Sequence, residues 1–249
     1  MVDLKPILED VSSGDLSVDT ALERVEGFTR VDDFARFDTQ REGRNGVPEV
    51  VLAEGKRPSE VASIAERALE KEGRVIVTRI GEETEAALEE VASSVDYTEW
   101  SERSCIMVLR TAEYEPPQVD GKVTVLTGGT SDIPVAEEAA TTAREMGCDV
   151  ETVFDVGVAG IHRMFAERHR FATADCVVVA AGREGALPTV VAGMADAPVI
   201  GLPVSIGYGA GGDGEAALLG MLQSCTVLST VNIDAGFVAG AQAAQVARD

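Results

Sequence analysis

The chain has 249 residues, a formal net charge of −22 and a sequence pI near 4.4. Such a polyanion repels phosphate backbones and acidic lipid surfaces, which excludes nucleic acid and membrane as partners. No run of about 18 apolar residues occurs, so no transmembrane helix is expected.

The length suits one large or two modest domains. Aromatics make up only 4% of the chain, so small residues must carry much of the packing. Acidic residues are spread along the chain, as on a charged folded surface, and do not form a disordered tail. Only Lys5, Lys56, Lys71 and Lys122 are lysines among 21 basic residues. An acidic, lysine-poor surface fits a halophilic cytoplasm, where salt screens self-repulsion. Cys105, Cys148, Cys176 and Cys225 form no CxxC pair. With no signal peptide, they read as free thiols of a cytoplasmic protein.

Residues 1–30 hold an amphipathic helical pattern through Leu16, Ala21, Leu22 and Val25. Residues 34–57 are polar and punctuated by glycine, giving loops and a short strand at Glu49–Ala53. Pro58 opens a helix to Glu72 that stops at Gly73. Arg74–Arg79 reads as a strand, Glu82–Ser94 as a helix and Cys105–Thr111 as a strand. Together these make a small N-terminal α/β domain over residues 1–115. The turn-rich stretch 116–121, within a longer segment that lacks apolar period, is a linker to a second domain at 122–249.

There the pattern changes. Val123–Leu126, Cys176–Ala181 and Val199–Leu202 are short, wholly apolar runs, expected of strands buried on both faces. Asp149–Val156 is a further strand. Helices are expected at Pro134–Met146, Ile161–Ala172, Pro188–Ala195, Gly214–Ser224 and Ala235–Ala247. The alternation implies a parallel sheet with right-handed crossovers.

Ligands of such sheets sit at the strands' carboxyl ends. The first such loop is Thr127-Gly128-Gly129-Thr130-Ser131-Asp132. Its glycines, hydroxyls and following helix could cradle a phosphate. A strand–helix turn also needs glycine and an Asp cap in any case, so the residues alone leave both readings open. The second loop runs through Gly157 and Gly160 to His162 and Arg163. His162 is one of two histidines, and its loop position sets catalysis beside a merely exposed side chain. The third, Gly182-Arg183-Glu184-Gly185, brackets a charged pair with glycines, which packing explains poorly. The fourth, Pro203 to Gly214, carries five glycines and Tyr208 and reads as a lid or a flexible linker. Cys225 follows a helix whose negative end disfavours a thiolate. From residues alone it reads as a buried structural thiol.

Taken in order, TGGTSDIPV (Thr127–Val135), DVGVAGIHRM (Asp155–Met164), AAGREGALP (Ala180–Pro188), MLQSC (Met221–Cys225) and VNIDAGFVAG (Val231–Gly240) resemble the LarB family. The upstream stretch Ala35–Lys56 resembles that family's N-terminal region. The resemblance implies a flavodoxin-like, PurE-like three-layer domain behind the small α/β domain. It implies carboxylation of nicotinic acid adenine dinucleotide at pyridinium C5, using carbon dioxide or bicarbonate. Cleavage of the phosphoanhydride accompanies it, giving pyridinium-3,5-biscarboxylic acid mononucleotide and AMP for a nickel-pincer cofactor. It aligns the nucleophilic cysteine with Cys225 and reverses the structural reading of that thiol. Glu184 becomes the candidate base for the C5 proton and His162 a proton-transfer or hydrolysis residue. Gly128, Gly129, Thr130, Ser131, Asp132, Arg163, Gly182, Gly185 and Asp234 would hold substrate. Magnesium (Mg2+) at the phosphates is compatible with this chemistry, although no ligand cluster with metal spacing is visible, and no tightly bound organic cofactor is expected. The relatives imply a homo-oligomer, an octamer, and the glycine-rich segment Ala235–Val246 is a candidate for packing between subunits.

Two other classes stay open. One is an aminoimidazole-ribonucleotide carboxylase or mutase. Its SAHRTP-like and AAHLP-like motifs read AGIHRM and EGALP here, which tells against purine chemistry. The other is a non-catalytic nucleotide-binding regulator. Arg36, Arg41 and Arg44 are either contacts to the adenylate phosphates or an exposed charged linker.

Overall fold

The structure is a computed structural model that describes residues 4–207, 209 and 211–248. Contacts divide the chain into two units. One comprises residues up to Ser101 with Cys105–Tyr114; the other comprises Glu102–Ser104 with the residues from Glu115 onward.

The first unit begins with α1 (Leu4–Ser13) and α2 (Val18–Glu26). The single amphipathic pattern of the sequence is thus split, because Gly14 turns the chain at φ +87° and Ser17 caps the second helix. A small antiparallel hairpin follows, β1 (Thr29–Val31) with β2 (Ala35–Phe37), and then the short helix α3 (Arg41–Asn45). The main sheet is β3 (Val50–Leu52), β4 (Arg74–Thr78), β5 (Tyr97–Ser101) and β6 (Ile106–Arg110), in the order β3-β4-β6-β5. Helices α4 (Pro58–Glu72) and α5 (Glu82–Ala92) complete the unit. Pro58 starts α4 and Gly73, left-handed at φ +70°, ends it, where both residues predict. The strand β5 is absent from the sequence reading: its Tyr97-Thr98-Glu99 run is exposed on a sheet edge and carries no apolar alternation.

The second unit holds a fully parallel sheet. Its strands are β7 (Lys122–Thr127), β8 (Asp149–Val153), β9 (Cys176–Ala181), β10 (Val199–Pro203) and β11 (Leu228–Thr230), in the order β11-β10-β9-β7-β8. Numbered within the unit this is 2-1-3-4-5, the flavodoxin-like order. The helices are α6 (Ile133–Glu145), α7 (Ile161–Ala166), α8 (Arg168–Phe171), α9 (Ala186–Ala192), α10 (Glu215–Leu222) and α11 (Gly236–Ala247). Met164, Phe171, Leu187, Val191, Ala217 and Met221 pack on one sheet face with Leu126, Val177 and Val179. In β8 the strand ends at Val153, short of the expected Val156, because Asp155 turns the chain in the left-handed region at φ +59°. The helix expected over Ile161–Ala172 breaks at Glu167 into two pieces.

Helix α11, at the glycine-rich end of the chain, packs on α6 within the same unit. A Cβ at Gly236 would meet the Val135 carbonyl, and one at Gly240 would collide with the Ala139 carbonyl. The small-residue face that suggested an intersubunit contact is what lets these two backbones approach.

Candidate active site

Strands β7 and β9 are neighbours, and their helices, α6 and α9, lie on opposite faces of the sheet. This is the topological switch point, where the diverging loops leave a crevice at the strands' carboxyl ends. A cavity of about 510 Å3 opens there. The size falls in the range of small-molecule sites.

Its floor is organised by Asp132. This side chain is buried, and its carboxylate accepts hydrogen bonds from the Gly129 amide (2.7 Å) and the Gly182 amide (3.2 Å). One carboxylate therefore ties the loop after β7 to the loop after β9. Burial pushes its pKa up, and the two amides pull the other way. One amide of the anticipated phosphate cradle, that of Gly129, is thus already used by an acid of the same loop. What faces the cavity is the Gly128–Gly129 backbone together with Ser131. Thr130 is exposed and lies outside the wall.

The loop after β8 enters through a tight passage. A Cβ on Gly157 would overlap the Gly128 carbonyl, so only glycine lets the two loops touch. Thr127 is fully buried and accepts the Asp155 amide on its hydroxyl at 2.9 Å. Asp155 then forms an ion pair with Arg163, which orients that guanidinium along the cavity wall. Asp155 was not among the candidates from sequence. Its signal, an Asp at a strand-end turn, is indistinguishable there from an ordinary cap.

The third loop carries Glu184. Arg183 (φ +54°) and Gly185 (φ +62°) are both left-handed, so the backbone makes an outward arm with Glu184 at its tip. A Cβ on Gly182 would strike the Ile206 carbonyl, one on Gly185 the backbone of Ala217, and one on Gly220 the Glu184 carbonyl. The arm is thus clamped between α10 and the loop after β10. Glu184 is exposed on the cavity wall. Ile206 and Gly207 close the cavity from the fourth loop, and Ile206 remains 52% exposed. Tyr208 and Ala210 of the expected lid lie outside the described residues.

The structure therefore brings together Gly128, Gly129, Ser131, Asp132, Arg163, Gly182 and Glu184. Gly185 shapes the arm without lining the cavity. Asp234 lies off the wall: its carboxylate accepts the Ser205 amide at 2.9 Å and braces the fourth loop. His162 lines another cavity, which shares Arg163 with the first and lies beside Phe154, Glu167 and Arg170. Among the described residues, no group of three or more His, Cys, Asp or Glu is arranged to hold a metal.

Cys225 stands apart. It is exposed, in the bend between α10 and β11, and Leu228, the first residue of β11, pairs with Val199, the first of β10. The thiol thus precedes the amino end of its strand, whereas the cavity lies at the carboxyl ends. The reading from residues alone, a buried structural thiol, is corrected: the helix ends at Leu222, and the chain that follows faces solvent. The buried thiols are Cys148 and Cys176. Burial raises both, Cys176 to about 12, which leaves them protonated and inert.

A model of the AIR carboxylase family matches residues 122–248, and one described as a LarB/PurE-like N-terminal domain matches residues 28–110. An uncharacterised protein of Methanocaldococcus jannaschii is 38% identical over 253 residues, covering 98% of this chain and 97% of its own. The N5-carboxyaminoimidazole ribonucleotide mutase of the same organism is 34% identical over 119 residues, 46% of this chain and 71% of that one. A crystallised PurE variant of Treponema denticola is 21% identical, with a TM-score of 0.40 over 48% of this chain and 75% of its own. The residues that form the parallel sheet and its switch-point cavity fall within the part of the chain that belongs to the AIR carboxylase class. With its N-terminal domain included, the chain belongs to the LarB family.

Proposed function

We propose that the protein carboxylates C5 of the pyridinium ring of nicotinic acid adenine dinucleotide and hydrolyses its phosphoanhydride, yielding pyridinium-3,5-biscarboxylic acid mononucleotide and AMP. The single observation that carries this reading is the placement of Glu184, a carboxylate on a clamped arm at the cavity wall, where a ring proton must be removed. The LarB-type N-terminal domain supports it over purine chemistry, as does the EGALP loop.

A pyridinium ring is electron-poor, and carbon dioxide is itself an electrophile. A thiolate adding at ring C4 gives a dihydropyridine whose C5 is enamine-like. C5 then forms a bond to the carbon of carbon dioxide. Glu184 takes the C5 proton, the ring regains aromaticity and the thiolate leaves. Arg163 and Ser131 hold ribose and phosphate, and Asp132 keeps the two loops in register. Magnesium at the phosphates belongs to the same reading.

Cys225 lies outside its own chain's cavity wall. In this proposal the thiol serves the cavity of a second copy in a homo-oligomer. The skin around it supports this: Leu219 is 52% exposed, Leu222 61% and Val227 92%, an apolar surface suited to contact with another subunit. Subunit mixing tests the arrangement. Cys225→Ser and Glu184→Gln proteins should each be inactive alone. Mixed oligomers contain sites in which both groups are intact, and roughly a quarter of the activity should return. No recovery, with exchange of subunits verified by mass, would place thiol and base on one chain.

A further inference from the structure

The first unit holds a cavity of its own, about 200 Å3 in volume. It is lined by all three residues of β2 and all three of β3, together with Glu49, Lys56 and Ile64. Successive side chains of a strand point to opposite faces, so a cavity that meets every residue of a strand meets its edge. Each strand is paired on one side only, β2 with β1 in the small hairpin and β3 with β4 in the main sheet. No ladder joins β2 to β3 among the described residues.

The hydrogen bonds of β3 fix which groups face outward. The Ala53 amide donates to the Thr78 carbonyl at 2.9 Å, and the register sets Leu52 beside Thr78. In a parallel ladder, residues bonded to the neighbouring strand alternate with residues turned away from it. Val51 and Ala53 therefore turn to β4, while Val50 and Leu52 turn their N–H and C=O groups to the open edge. The ammonium of Lys56 sits on that edge, donating to the Leu52 carbonyl at 2.5 Å.

Charge is the second observation. The chain has 43 Asp and Glu against 21 Lys and Arg, and nearby Arg41 and Arg44 are held by Glu49 and Asp38. Arg36 and Lys56 have no carboxylate partner among the described residues, and Arg36 instead lies over the Phe28 ring, 5.6 Å from its centroid. Two cations that so acidic a chain leaves without an acid thus line one cavity. Glu49, on the same wall, is already paired with Arg41.

We infer that this cavity takes an extended acidic peptide segment of a partner protein, which pairs with the outward edge of β3 and sets its carboxylates against Arg36 and Lys56. An open strand edge is a template for one more strand. The volume of about 200 Å3 lies below the about 300 Å3 at which ordinary small-molecule sites begin. It suits a short run of main chain whose side chains pass out on either face.

Fluorescence anisotropy on the full chain tests this with a labelled hexapeptide that alternates valine and glutamate. The peptide should bind, and the Leu52 amide should then exchange more slowly with solvent. Affinity should fall about fivefold in the Arg36→Gln, Lys56→Gln double variant, as expected for two exposed ion pairs, and should fall as salt is raised. A peptide with lysine in place of glutamate should not bind. Nor should a fully N-methylated peptide, which keeps the carboxylates and loses the main-chain donors. A hexapeptide that fails to bind, or that binds the double variant as well as the parent, would overturn the inference. So would full binding of the N-methylated form, which would mark a carboxylate site and not a place for a strand.

Discussion

Burial raises the pKa of several side chains in this protein. Asp132 is one case, and Glu72 is the sharper one. Glu72 ends α4, and burial pushes its carboxyl up to about 7; Arg74 pulls it down, while Glu42, Glu49 and Asp38 push it further up. An unfolded Glu titrates near about 4.3. The folded state therefore holds an extra proton between those values. Stability attributable to Glu72 is fully present below the unfolded value and is lost as pH rises toward about 7. Glu72→Gln should stabilise the protein at neutral pH by about 1 kcal/mol, the full shift being reduced because solvent reaches the carboxyl. The gain should shrink as the pH is lowered toward 4.5. Urea unfolding across that range measures both; a variant less stable than the parent at neutral pH would contradict the assignment. Residue chemistry was only partly legible in the sequence. Glu184 announced itself because two glycines bracket it. The ion pair of Asp155 with Arg163 and the bridging of two loops by Asp132 depend on contacts between loops 50 residues apart in one case, which no local pattern records.

Elements were read best where local rules and burial coincide. The α4 boundaries follow from Pro58 and Gly73, and β9 from an unbroken apolar run. The strands β5 and β11 escaped notice because both sit on sheet edges and lack a fully buried face. The glycines of α11 were visible, but their packing on α6 was not, since a small-residue face looks the same whether its partner is another chain or α6. That contact now makes a prediction. Gly240→Ala places a methyl against the Ala139 carbonyl and forces α6 and α11 apart. The expected cost is about 1–3 kcal/mol, the usual penalty for overpacking a close interface. A lower thermal midpoint would report it, and a midpoint equal to the parent's would show that the helices do not need this approach.

At the scale of the whole chain, two features carry the proposed function. One is a flavodoxin-like sheet whose switch point joins four loops from different strand ends into one cavity. The other is a thiol kept outside that cavity, on an apolar surface. The parallel sheet and its site loops could be read from alternating apolar runs, because each loop follows a buried strand. The separation of Cys225 from the cavity could not, because it depends on the direction in which β11 runs beside β10. The net charge of −22 calls for work at high salt. The decisive measurement is incubation of the purified protein with nicotinic acid adenine dinucleotide, bicarbonate and magnesium, followed by mass spectrometry of the products, with Cys225→Ser alongside. The account predicts AMP together with a mononucleotide heavier than nicotinate mononucleotide by one carboxyl group, both missing from the variant. Carboxylation of aminoimidazole ribonucleotide with no reaction of the dinucleotide, unaffected by Cys225→Ser, would contradict it.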